Sequence, residues 1–114
     1  MTQIKRQRRA KQKLYESVEV WKRISEDQLV RYRCFRVLPG AKYCVQSADQ
    51  CYLPIAEEIK EQHEKQFLEL LSEEAPDVRE KTYDTLEEAI EMFEKGFEEE
   101  FGDMNEFLKA QREK

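Results

Sequence analysis

Two hydrophobic periods divide this chain. From Val18 to Tyr52 apolar and aromatic residues recur at every second position, as in a half-buried strand, and from Ile55 onward they recur at spacings of three and four, as on one side of a helix. The clearest strand reading is Leu29 to Leu38. Val30, Tyr32, Cys34 and Leu38 share one side with Arg36 as the exception, while Arg31, Arg33, Phe35 and Val37 share the other. Pro39-Gly40 breaks the run with the residues of a type II turn, proline fixing φ and glycine accepting a positive φ. Tyr43 to Cys51 then returns as the partner strand. Residues 14 to 24 read two ways, because Val18, Val20 and Ile24 have period two whereas Leu14, Val18 and Trp21 fit a helix. The β-branched and aromatic content, followed by the turn-like Ser25-Glu26-Asp27, favours a strand.

After Leu53-Pro54 the residues Ile55, Ile59, His63, Phe67, Leu70 and Leu71 form one helical stripe, which Pro76 ends. Thr85 and Glu88 have the spacing of a capping box, and Leu86, Ala89, Ile90, Phe93, Phe97 and Phe101 continue as a second stripe. Neither stripe can be buried without a partner layer. The expected fold is therefore α+β: an antiparallel three-stranded meander, a short fourth edge strand at Lys81 to Tyr83, and two amphipathic helices laid on one face. The expected organisation is a basic N-terminal arm over 1–16, one domain over 17–109 and a frayed end over 110–114, since 114 residues close one core.

Charge changes that picture at the N-terminus. The net charge of −5 conceals an asymmetry: residues 1–36 hold eleven Lys or Arg against four Asp or Glu, and residues 37–114 hold nine against twenty-one. Lys5, Arg6, Arg8, Arg9, Lys11 and Lys13 form a like-charge block that buries too little apolar surface to offset the entropy of ordering it. No apolar stretch approaches the roughly 20 residues that span a bilayer, and no apolar core follows the basic start as in an export signal. A cytoplasmic setting is the expectation.

Candidate chemistry is sparse. His63, the one histidine, falls on an apolar helical stripe, where a structural role is the simpler reading. Cys34, Cys44 and Cys51 are an odd number with no C-x-x-C spacing, which favours reduced, packed thiols. Their separations, with His63, do not suit zinc, whose ligands come in close pairs. A two-residue loop at Pro39-Gly40 would put Cys34 and Cys44 on opposite faces, against a disulfide. Phosphate-binding glycine loops and the hydrolase and metalloprotease motifs are missing from the sequence. No cofactor, metal site, membrane partner or small-molecule substrate is expected.

The function expected on this basis is a small non-enzymatic adaptor or regulatory module that binds another protein or a second copy of itself. Its interaction face would be Arg31, Arg33, Phe35, Val37 and Tyr43, because arginine and aromatics are enriched at interfaces. The alternative is RNA or single-stranded DNA, held by the basic arm and by arginines and stacking rings on the sheet.

Overall fold

The computed structural model describes residues 12–101, so Lys5, Arg6, Arg8, Arg9 and Lys11 of the basic arm, and the C-terminal end, lie outside the described residues. Three strands, β1 (Leu14–Ser25), β2 (Gln28–Leu38) and β3 (Lys42–Tyr52), form an antiparallel meander with β2 at the centre. Helix α1 (Glu57–Glu73), the short α2 (Pro76–Arg79) and α3 (Leu86–Phe101) follow. The fold class is the α+β arrangement that the periodicities imply. Residues 14–24 are strand, and β1 begins inside the segment assigned to the arm. The expected fourth strand is reduced to one bridge, in which Tyr43 and Tyr83 exchange backbone hydrogen bonds of 2.8 Å in both directions. Pro54 stands ahead of α1 instead of in its first turn, with Ala56 as N-cap.

The helices differ from expectation in one consequential respect, since they lie on opposite faces of the sheet. Val30, Tyr32 and Cys34 of β2 join Val45 of β3 and Ala89 of α3 in one cluster, with Leu86, Ile90, Phe93 and Phe97 of α3 packed against it. Phe35, Val37 and Cys44 join Phe67 of α1 in a second, with Leu71 and Tyr15 beside them. The reason is in β2 itself. Its even positions and its odd positions each carry bulky apolar side chains, so both faces need cover and one helix cannot supply it. Phe35 stacks on Phe67 with ring centroids 5.6 Å apart and meets the edge of Tyr15 at 6.2 Å, whereas Tyr32 meets the edge of Phe93 at 6.2 Å on the other side.

Local signals set the remaining joints. The tight turn from β2 to β3 places Gly40 at φ 104°, where a side chain would be strained, and Ala41 follows in the left-handed region at φ 51°. Next to the turn Cys34 pairs with Val45 and Phe35 with Cys44, so the two cysteines sit on opposite faces. A β-bulge between Arg33 and Cys34 shifts the register and leaves Gln46 over α1, where its amide donates to the Phe67 carbonyl at 3.3 Å. The start of α3 is capped as the sequence suggests, the Glu88 amide donating to Thr85 Oγ1 at 3.1 Å.

Phe35, 2% exposed, ties α1 and β1 to the central strand. Phe35→Ala should destabilise the protein by about 3–5 kcal/mol, seen as a lower urea midpoint with an unchanged slope.

Candidate interaction surface and buried charge cluster

Arg31 and Arg33 of β2 are drawn into the layer between the sheet and α1, whereas Arg36 lies on the other face and pairs with Glu16 of β1. Arg33 is 4% exposed, and its guanidinium lies 3.9 Å from the Phe67 ring centroid. Three carboxylates surround it: Glu64 Oε2 of α1 at 3.0 Å from Nη2, Asp49 Oδ2 of β3 at 3.5 Å from Nη1, and Glu19 Oε2 of β1 at 3.9 Å from Nε. Arg31 donates to the same Asp49 oxygen from Nε at 3.1 Å and Nη2 at 2.8 Å, and from Nη1 to Glu19 at 3.3 Å. His63 Nδ1 of α1 lies 4.0 Å from that oxygen. One buried carboxylate, Asp49 at 7% exposure, is therefore shared by two guanidinium groups and faces an imidazole.

Such a cluster ties elements together. Glu19, Arg31, Arg33, Asp49 and Glu64 come from β1, β2, β3 and α1, and their mutual compensation is what allows charges at this depth. Nη1 and Nε of Arg33 have their nearest carboxylates beyond hydrogen-bond length, so attraction there is coulombic, with no directed bond. A phosphate or other anion would meet carboxylates already on these arginines. Near the sheet's other end Lys13 reaches Asp77 at 2.5 Å and Tyr15 donates to Asp77 at 2.8 Å. The hydrogen bond from Lys13, ahead of that from Tyr15, holds the Asp77 carboxyl below the ordinary range despite burial.

The five residues proposed as an interaction face do not make one. Arg33, Phe35 and Val37 are buried under α1, Arg31 is largely covered by its ion pairs, and Tyr43 is on the opposite face against the α3 cluster. That face is not open, because α1 occupies it. Open surface lies instead on β1. Its outer edge has no strand partner among the described residues, and it carries Leu14 at 65% and Trp21 at 46% exposure. The Arg31 guanidinium lies over the Trp21 ring, 5.4 Å from its centroid, which sets the indole beside the charge cluster. Trp21 was legible only as part of an ambiguous helix or strand, and its exposure follows from α1 lying over β3. At the end of β3, Gln50, Tyr52, Pro54, Ile55, Ile59 and His63 line a cleft of about 370 Å³.

The three cysteines are free and buried. Burial pushes the Cys34 thiol up to about 12 and that of Cys44 to about 11, and it raises Cys51 as well. These shifts oppose thiolate formation, so a cysteine–histidine nucleophile is not prepared here. Among the described residues no group of three or more His, Cys, Asp or Glu is placed to hold a metal ion, and no helix is long and apolar enough to cross a membrane.

Comparison with protein-family models, with curated proteins and with solved structures finds no match for the chain. Its function therefore rests on geometry.

Two outcomes test the site. Asp49→Ala leaves Arg31 and Arg33 facing each other without their shared carboxylate and should cost about 3–5 kcal/mol in urea unfolding. With Ellman's reagent at pH 8 the native thiols should react far more slowly than a free cysteine, and all three should react at once after denaturation.

Proposed function

We propose that the protein is a small, non-enzymatic interaction module that docks another polypeptide on β1. The observation that carries this reading is the twelve-residue β1, unpaired along its outer edge among the described residues, with Leu14 and Trp21 exposed on it. An edge strand offers a row of backbone donors and acceptors, and adding a strand there satisfies them in register. Trp21 supplies an apolar anchor with a polar tip, which suits the centre of an interface. The buried charge cluster keeps β1 flat against β2 through Glu19, so the edge is a fixed template. The three reduced thiols suit a reducing compartment, and we place the module in the cytoplasm.

Nucleic-acid binding is the weaker proposal. Its sheet half would need Arg31, Arg33, Arg36, Phe35 and Tyr43 at the surface; the three arginines are ion-paired, Phe35 is buried and Tyr43 packs against the α3 cluster, which leaves the arm from Lys5 to Lys11 as its support. Lys13, the last of the basic run, is already held by Asp77.

Site-specific photo-cross-linking in cells tests the reading. A photoactivatable phenylalanine analogue in place of the exposed Trp21 on β1 should form adducts with another polypeptide chain, and the same analogue in place of Met92 on α3 should not. Equal yields at both positions, or none at Trp21, would remove β1 as the docking edge.

A further inference from the structure

The outer edge of β1 is complementary to itself. Residues of β1 on the α3 face are Leu14, Glu16, Val18, Val20, Lys22 and Ile24, as their β2 partners from Leu38 to Val30 show. An antiparallel pair of β1 strands related by a two-fold axis through Glu19, perpendicular to the sheet, keeps like faces together. It puts Leu14 opposite Ile24 of the copy, Glu16 opposite Lys22 and Val18 opposite Val20. Each apolar residue then meets an apolar one, and each charge meets its opposite. Sliding the pair by two residues in either direction sets Lys22 against Val18 or Leu14, and Glu16 against Ile24 or Val20. The pattern therefore selects one register.

The α1 face of β1 supports the same register. Trp21 falls opposite Ser17, whose small side chain leaves room for the exposed indole. Tyr15 falls opposite Arg23. The two Glu19 carboxylates meet at the axis, and each is already compensated within its own chain by Arg31 Nη1 at 3.3 Å and Arg33 Nε at 3.9 Å. Glu16 and Lys22 have in-chain partners too, Arg36 at 2.6 Å and Glu94 at 3.0 Å. Both side chains remain substantially exposed, and a carboxylate or ammonium can take a second partner.

We propose that the occupant of the β1 edge is a second copy of this chain, joined in this register so that two three-stranded sheets become one continuous sheet. The proposal rests on β1 being the docking edge and adds the identity of the partner.

Sedimentation equilibrium of the full chain over a concentration series should show a monomer–dimer equilibrium. Glu16→Lys or Lys22→Glu alone puts like charges opposite at two symmetry-related places, and each should weaken self-association about tenfold. An equimolar mixture of the two variants restores both opposite-charge pairs and should recover the lost affinity. Cooperative urea unfolding of each variant, with a midpoint near that of the parent chain, checks that both fold. Glu19→Cys should oxidise to a disulfide-linked dimer, since facing residues of an antiparallel pair lie within disulfide reach. Trp21→Cys should not, and the native thiols are buried. A monomer mass at every concentration would overturn the proposal, as would a mixture that associates no better than its components. A monomeric chain whose photo-adducts at position 21 contain a different protein removes the second copy and keeps the docking edge. Absence of adducts at position 21 removes both.

Discussion

Two-sided burial of β2 is the constraint on which the rest of the structure depends. Its side chains alternate between two apolar layers, Val30, Tyr32 and Cys34 on one side and Phe35 and Val37 on the other, and each layer must be closed by something that follows in the chain. With two substantial helices among the described residues, one goes to each side. This choice fixes the positions of α1 and α3, takes Arg31 and Arg33 of β2 largely out of solvent and leaves β1 at the edge. Phe35 against Phe67 and Tyr32 against Phe93 are equivalent contacts across the sheet, and each ties one helix to the same strand.

The arginines are a consequence of that closure. Once α1 lies over Phe35, Arg33 cannot reach water, and a buried guanidinium is tolerable only with carboxylates around it. Glu19, Asp49 and Glu64 meet that requirement from three different elements. The β-bulge beside Arg33 helps by changing the register of β3 so that Asp49 comes opposite Arg31. Tyr32 shows the same logic on the other face, where its hydroxyl donates to Glu94 and its ionisation is suppressed first by burial and then by that carboxylate. Polar groups on β2 are thus answered by acidic residues of the neighbouring strands, Glu16, Glu19 and Asp49, and of the helices, Glu64 and Glu94. Part of the charge asymmetry along the sequence is used inside the fold.

This explains how much could be read in advance. The strands, the turn at Gly40, the cap at Thr85 and the separation of Cys34 from Cys44 are local or register effects, and residue spacing carries them. The sides taken by the helices are obscured in the sequence by Arg31 and Arg33, which have the look of a polar face, whereas Phe35 and Val37, following them on the same side of the strand, are the signal of a second core. Sequence spacing cannot show that Asp49, Glu64 and Glu19 converge on one guanidinium, since they come from separate elements. The exposure of Trp21 was hidden for a related reason: it depends on where α1 ends up, not on anything near residue 21.

The edge position of β1 gives its polar residues a second meaning. A long exposed strand with only apolar residues would pair with any other edge, and charges on it are the usual protection. On β1 those charges do not merely interrupt the strand, because Glu16 and Lys22 stand symmetrically about Glu19, as do Leu14 and Ile24, and Val18 and Val20. Random protection has no reason to be symmetric. A symmetric pattern excludes most registers and most foreign strands while favouring the one antiparallel pairing in which the sequence meets its own reverse. Charges that discourage general aggregation therefore also specify the pairing of two copies. In the proposed pair Glu16 and Lys22 each take a second partner beside Arg36 and Glu94.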